Sequence, residues 1–276
     1  MDANVVTLNR KYDQSFQTRE HRLIESLAGY GELVVSFSGR LESCYGMDLC
    51  RASGVRFRAI TLDNPTLSRK SVARAKRYCQ HYGIAHQVIK TDEMVFSVHL
   101  GHLADVKDPV RYLCQLFEPD GGTPILMSAS VEEMREYLRR FDSLPANTLW
   151  LFAEQGMTNR DFRYGFHKRQ LDIWGKGGEI CLSRRFSDPE LLDMRHLRMV
   201  DMAEQMLSDM GLDEVQVYFH TLADRVTTLA RVRVPQGLRA KVFDMQPTIL
   251  QALLGAQFDL VTLDMVLAED PQALAI

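Results

Sequence analysis

Among the five cysteines of the chain, Cys44, Cys50, Cys79, Cys114 and Cys181, there is no CxxC pair. Structural zinc sites need closely spaced thiolates, so that class is set aside. The odd count, the wide spacing and the lack of a secretory pattern argue for free thiols. Positive charge is not in excess either. The 33 Lys and Arg stand against 36 Asp and Glu, so nothing draws the whole molecule to nucleic acid, although the SRRF patch offers a local seat for a phosphate. No apolar run approaches the length that crosses a bilayer, and MDANVVTLNRKYDQ lacks the charged-then-apolar layout of a signal peptide. The expectation is a cytoplasmic protein with no membrane and no nucleic-acid partner. Repeats and low-complexity segments are also missing. What remains is ordinary globular material, 276 residues at 46% hydrophobic and 25% charged, enough for one large or two smaller domains.

The order of elements is legible. Leu23, Ile24 and Leu27 give a first amphipathic helix ending near Gly29 and Gly31, and LVVSF supplies the unbroken apolar run of a strand buried on both faces. A helix carrying Cys44, Met47, Leu49 and Cys50 stops near Gly54, and VRFRAITLD is a second strand. SRKSVARAKRYCQHYG places Val72, Ala75, Cys79 and Tyr82 at helical spacing, and IAHQVIKTDE is a third strand. Strand and helix alternating in this way predict a parallel sheet with a ligand crevice at the strands' C-terminal ends. TPILMSAS reads as a fourth strand before the helix VEEMREYLRR. The pattern weakens between Asp142 and Ile180, where GKGGEI reads as a mobile loop. After it, SDPELLDMRHLRMVDMAEQMLSDMG is a long helix with Asp188 as cap, Pro189 in the first turn, and Leu197, Val200, Ala203, Leu207 and Met210 along one face. VQVYFH, LARVRV and FDLVTLDMVL are strands of a small α+β domain.

A strand running into SFSG and then a helix start is a natural anion site, because backbone N–H groups and serine hydroxyls face whatever docks there. The same turn also serves many α/β proteins merely to reverse the chain. Cys181 follows a glycine-rich approach, and Arg184 and Arg185 beside it would favour a nucleophilic thiolate; the alternative is a small apolar residue between Ile180 and Leu182. Arg184 and Arg185 together suit a bidentate grip on phosphate, or equally salt bridges to Asp188 or Glu190. His86 and His220 have no matching ligand cluster and read as structural.

SFSGRLES resembles the SGGxDS signature of the PP-loop ATP pyrophosphatases, and from about residue 17 to residue 265 the chain is similar to one branch of them, the LarE-type ATP-dependent sacrificial sulfur transferases. DPVRYLC is similar to that branch's NPxRCYxC, SASVEEMREY to its GTNADDxxDY, GMTNRDFR to its GLTKxEIR, and Trp174 to ICLSRRF to its W followed by CLxSRF. EVQVYFH, LARVRV and the VTLD at Val261 resemble its VRVRxH, LARIEV and closing VTLD. The resemblance implies an α/β fold of the adenine nucleotide alpha hydrolase type, with a PP-loop domain over 1–183 and a smaller α+β domain over 184–276. It implies ATP and Mg2+ as cofactors, a carboxylate substrate that is adenylylated with release of pyrophosphate, sulfur delivery in cofactor biosynthesis, and a homo-oligomer. Carried over by position, Ser36, Ser38, Gly39 and Ser43 bind nucleotide phosphate, Thr61 lies near the adenosine, Cys181 is the thiol, and Glu204 stands where relatives have a functional glutamate.

The departures are as informative. Arg40 replaces the motif's second glycine and Glu42 its aspartate. Glycine lets the backbone approach pyrophosphate, so Arg40 either fills the seat or substitutes for part of the magnesium charge. Met127 and Ser128 replace Asp and Gly, Glu132 and Glu133 stand for paired aspartates or simply form the solvated acidic first turn of a helix, Tyr112 sits at a cluster cysteine, and Gln216 and Tyr218 replace arginines. Cys114 and Cys181 fall short of a three-cysteine ligand set, so no iron–sulfur cluster is expected. These departures give a second reading, a catalytically degenerate member that binds a nucleotide or phosphate metabolite or serves as a partner subunit.

Overall fold

The structure is a computed structural model that describes residues 3–92, 108–117, 122–174 and 181–265. The predicted GKGGEI loop lies outside them. The chain divides into two compact units: 1–63, 71–91 and 108–177 form one, and 64–70, 92–107 and 178–276 the other.

The first unit is an α/β layer structure. Helix α1 (Ala3–Ala28) leads to β1 (Glu32–Ser36), α2 (Leu41–Ser53), β2 (Arg56–Asp63), α3 (Arg69–Tyr82) and β3 (His86–Lys90). Then come α4 (Pro109–Phe117), β4 (Ile125–Leu126), α5 (Val131–Phe141), β5 (Thr148–Leu149), α6 (Leu151–Glu154) and α7 (Asn159–Lys168). All five strands are parallel, in the order β3-β2-β1-β4-β5. Leu33, Val34 and Val35 of β1 are wholly buried because helices cover both faces of the sheet. One face holds the main core, with Phe16, Leu27, Tyr45, Met47, Ala75, Tyr78, Phe152 and Phe162; the other packs Val34, Ile60 and Ile125 on Leu113. The expected fourth strand is only two residues long, and β5 with α7 occupies the stretch whose periodicity was weak. A two-residue strand cannot show alternation, which is why β5 leaves no periodic trace.

In the second unit α8 (Met194–Asp209) packs on an antiparallel pair, β6 (Gln216–Thr221) and β7 (Thr228–Arg233), with β8 (Leu260–Leu263) parallel to β7; α9 (Arg239–Asp244) and α10 (Gln246–Gly255) precede β8. Leu197, Val200, Ala203 and Leu207 are buried along α8 as the spacing predicts. The cap differs. Asp193 accepts from His196 N at 2.7 Å and starts α8, whereas Asp188 opens a separate 3-10 turn over Pro189–Leu191, accepting from Glu190 N at 3.0 Å. Two capping aspartates five residues apart offered the same signal, and the chain uses both. Among the described residues no helix is long and apolar enough to cross a membrane.

Candidate functional site

The strand order places a topological switch between β1 and β4. Successive connections from β1 run toward β3 on one side, while β4 and β5 are added on the other, so the crossovers diverge at the carboxyl ends of β1 and β4. Crevices at such points are where open parallel sheets take ligands. The SFSG turn occupies that position. Phe37 N still bonds Ile60 O at 2.8 Å, holding the exit of β1 to β2. Gly39 then adopts φ +73°, and a Cβ there would stand 2.2 Å from Ser71 O of α3. The position therefore demands glycine twice over, for its backbone conformation and for its space.

Around Gly39 the polar groups bond to one another. The Arg40 backbone N and Nε donate to Ser38 Oγ at 3.4 and 3.3 Å. Ser43 Oγ donates to the Arg40 carbonyl at 3.0 Å and lies 3.0 Å from Ser38 Oγ. Arg40 is the N-cap residue of α2, extended at φ −89° and ψ 170°, without a side-chain cap bond. Its guanidinium thus folds back onto the Ser38 hydroxyl two residues upstream. Arg74 of α3 donates from Nη1 to Gly39 O at 3.1 Å, a contact that the sequence did not announce. Ser36 is half-buried at the end of β1. Thr61 is fully buried: its Oγ1 donates to Phe37 O at 2.6 Å and lies 2.8 Å from His86 Nε2. Burial, with Lys76 adding to it, lowers the His86 pKa below the usual imidazole value.

Beyond β4, Ser130 and Glu133 form a capping box on α5: Ser130 Oγ accepts from Glu133 N at 3.1 Å, and Glu133 Oε2 accepts from Ser130 N at 2.9 Å. Glu132 Oε2 accepts from Asn159 N at 3.1 Å. Both acids are helix-end ligands for backbone N–H groups. Ser128 presses on α2, where a Cβ on Gly46 would meet its Oγ at 2.0 Å. Among the described residues no group of three or more His, Cys, Asp or Glu is placed to hold a metal ion.

The other candidates lie in the second unit. Cys181 is buried; its Sγ donates to Thr66 O at 3.3 Å and accepts from Ser183 Oγ at 3.1 Å. Leu182 N bonds the same carbonyl at 3.0 Å, so the strap 64–70 and the 3-10 turn Leu182–Arg185 share one anchor. Arg184 is exposed, but Arg185 is 2% exposed and donates from Nε to Glu204 Oε1 at 2.6 Å. That carboxylate oxygen also accepts from Val217 N at 3.0 Å. Arg185 and Glu204 therefore come together as a buried pair tying the turn to α8 and β6. Arg184 does not join them. Glu190, the other acid considered for these arginines, bonds Arg225 at 2.9 Å.

The polar face of the β6–β7 ladder adds Arg231 and Arg233, which sequence reasoning passed over, to Gln216 and Tyr218, which it named. Cross-strand register pairs Gln216 with Arg233 and Tyr218 with Arg231, on the face opposite buried Val217, Phe219, Ala230 and Val232. The Tyr218 ring lies 5.4 Å from the Arg185 guanidinium carbon and 4.9 Å from that of Arg231, and Arg233 donates to its hydroxyl at 3.3 Å. The signal was the alternation in TLARVR, whose arginines fall on one face. Burial and Arg231 lower the pKa of His220 on the same face.

No family model matches the chain. It is 24% identical over 255 residues to Uncharacterized protein slr1717 of Synechocystis sp., a match that covers 86% of this chain and 90% of that protein. The likeness extends over most of both chains and names no activity.

Proposed function

We propose that this chain is a LarE-like member of the PP-loop ATP pyrophosphatases, with an adenine nucleotide alpha hydrolase-type unit, acting in ATP-dependent sulfur transfer for cofactor biosynthesis. The observation that carries the reading is the left-handed Gly39 turn, flanked by Ser38 and Ser43, at the switch point of an all-parallel sheet. In this reading Ser36, Ser38, Gly39 and Ser43 hold nucleotide phosphate, with magnesium travelling on the phosphates. A substrate carboxylate oxygen attacks the α-phosphorus of ATP, and pyrophosphate leaves. The thiolate of Cys181 then displaces AMP from the acyl carbon. Loss of the Cys181 α-proton to a base breaks its Cβ–S bond, releasing the thiocarboxylate and leaving dehydroalanine. The ladder face offers Arg233 and the Asp264-paired Arg231 to an anionic acceptor. Homo-oligomerisation belongs to the same reading.

A second reading is favoured by particular bonds. Arg40 Nε bonds the Ser38 hydroxyl, Cys181 donates to a carbonyl, and Glu204 is engaged by Arg185. A catalytically degenerate member that binds a nucleotide or phosphate metabolite keeps the turn and needs none of the chemistry. Pyrophosphate release is measured with ATP, Mg2+ and a panel of carboxylates, followed by mass spectrometry of the Cys181 peptide. Loss of the elements of hydrogen sulfide from that peptide supports the sulfur transferase. Nucleotide binding with no pyrophosphate and an intact cysteine supports the binder, and neither binding nor turnover removes both.

A further inference from the structure

The two strands that end the parallel sheet are unlike each other. β5 is two residues long, whereas β3 has five, His86–Lys90, and among the described residues no strand pairs with its outer side. The register fixes which backbone groups face outward. Ala59 N bonds Ala85 O at 2.8 Å and Thr91 N bonds Asp63 O at 3.0 Å. With Ala59 opposite His86, Thr61 opposite Val88 and Asp63 opposite Lys90, the N–H and C=O groups of Gln87 and Ile89 serve β2. Those of His86, Val88 and Lys90 point away from the sheet. Such a row is a template for one more strand, a mode of recognition in which backbone bonds give affinity and alternate side chains give specificity.

Charge at this edge selects what can pair with it. From Ser71 to Thr91 the sequence holds four Lys and Arg and no Asp or Glu, in a chain whose acids outnumber its bases. Lys76 and Arg77 are exposed on α3, and Lys90 is exposed at the end of β3. Lys76 lies near enough to His86 to add to the fall of its pKa. Asp63, the register partner of Lys90, is buried, and Asp92 comes after the strand's end. A second copy pairing through the same edge would bring two sets of lysines together, which opposes it. An incoming strand that carries carboxylates meets the reverse situation. The pleat adds a second requirement. His86 reaches Thr61 on one face of the sheet, while Ile89 lies on the other, against Val34, Ile60 and Leu113, so acidic and apolar side chains have to alternate.

We propose that the outer edge of β3 docks an extended segment of a protein partner that alternates Asp or Glu with apolar residues, its backbone bonded to His86, Val88 and Lys90. β2 separates this edge from β1, which carries the Gly39 turn. The inference therefore stands apart from the nucleotide reading, and either can fail without the other.

Hydrogen exchange of the full chain, followed residue by residue by NMR, tests it with a capped peptide that alternates Glu and Val. In the free protein the amides of Gln87 and Ile89 are expected to be protected and those of His86, Val88 and Lys90 to exchange fast. The peptide should protect the second set and leave the first unchanged. A Lys-for-Glu peptide should not bind, and neither should a peptide with Pro in place of each Val, which keeps the charge and loses the strand. Lys76→Glu combined with Lys90→Glu should weaken binding about tenfold or more. Val88→Pro removes an outward N–H and no bond to β2, so it should abolish binding with the fold intact by circular dichroism. If Val88→Pro does not fold, the lysine variant and the two control peptides decide the matter. Outer amides already protected in the free protein overturn the proposal, and protection that rises with protein concentration assigns the edge to a second copy instead. No binding of the Glu–Val peptide at about millimolar concentration, or equal binding of the proline peptide, also overturns it.

Discussion

The Ser38–Ser43 turn and the Cys181–Glu204 cluster use similar groups, hydroxyls, an arginine and a carbonyl, in opposite ways. In the turn the bonds among Ser38, Arg40 and Ser43 span two to five residues, with Arg74 reaching Gly39 O from 35 residues away, and the side chains of Ser38 and Arg40 are half-exposed. In the cluster, besides the local Ser183–Cys181 bond, the bonds cross 13, 19 and 115 residues, and Arg185, Glu204 and Cys181 are all buried. A local, solvated loop can exchange one ligand for another with little consequence for the fold. A buried long-range cluster holds elements together, so a change there registers first as lost stability. The two regions therefore call for different tests, one by binding and the other by unfolding.

Breaking the buried cluster should give the largest effect. Glu204→Ala takes its carboxylate away from the buried Arg185 guanidinium and removes the acceptor of Val217 N, at a cost of about 4 kcal/mol in urea unfolding. Replacing both partners with apolar residues should recover much of that loss, because no buried charge is then left alone. A loss under about 1 kcal/mol for Glu204→Ala would mean that the pair is solvated and the contrast with the turn is false.

The turn has one position where the contrast should fail. Gly39→Ala is expected to cost about 3 kcal/mol through its positive φ and the contact with Ser71 O, since backbone cannot move aside as a side chain does. Arg40→Gln, one residue away, should change stability by under about 0.5 kcal/mol. Equal effects at the two sites would show that the turn is as rigidly built as the buried cluster.

A third site lies between these extremes and responds to pH. Asp161 is buried at the start of α7, which opposes ionisation, yet bonds from the Thr158 backbone and hydroxyl and from Tyr12, with the charge of Arg19, hold its carboxyl below the ordinary range. A depressed folded value means that the contribution is complete above the unfolded-state pKa of about 4 and is lost as pH falls through the folded one. Asp161→Asn should lower stability at pH 7 by about 2 kcal/mol and flatten the acid limb of the stability profile. An unchanged acid limb would show that other carboxylates carry it. Modification of Cys181 gives a qualitative companion. Buried and bonded on both sides of its sulfur, it should react with iodoacetamide far more slowly in native buffer than in denaturant.

How much of this was legible depends on the range of the interaction. The alternation of β1, α2, β2, α3 and β3 was plain because each carries its own periodicity, and Gly39 and Gly54 sit where left-handed residues are needed. Strands β4 and β5 were not, since two residues paired on a buried sheet owe their conformation to their neighbours. At the candidate site, Ser38, Gly39 and Ser43 were singled out by a contiguous motif. Arg74 lies 35 residues from its partner Gly39, and Tyr218 meets Arg185 and Arg231 only through sheet register. No local pattern encodes such a meeting.

The smallest expected effect concerns the acids after β4. As stand-ins for the paired aspartates, Glu132 and Glu133 would matter to ligand binding and little to stability. As helix-end ligands, they should behave the other way. Glu133 closes a reciprocal box with Ser130, so Ser130→Ala leaves Glu133 N without its acceptor and should cost about 1 kcal/mol. Glu133→Gln keeps an oxygen for Ser130 N but loses the charge near the positive end of α5, for about 0.5 kcal/mol. Neither change should alter nucleotide affinity measured by isothermal titration. A tenfold loss of affinity in Glu133→Gln with stability intact would move that carboxylate from the frame of the helix into the binding site, and would make the exit of β4 a working partner of the Gly39 turn.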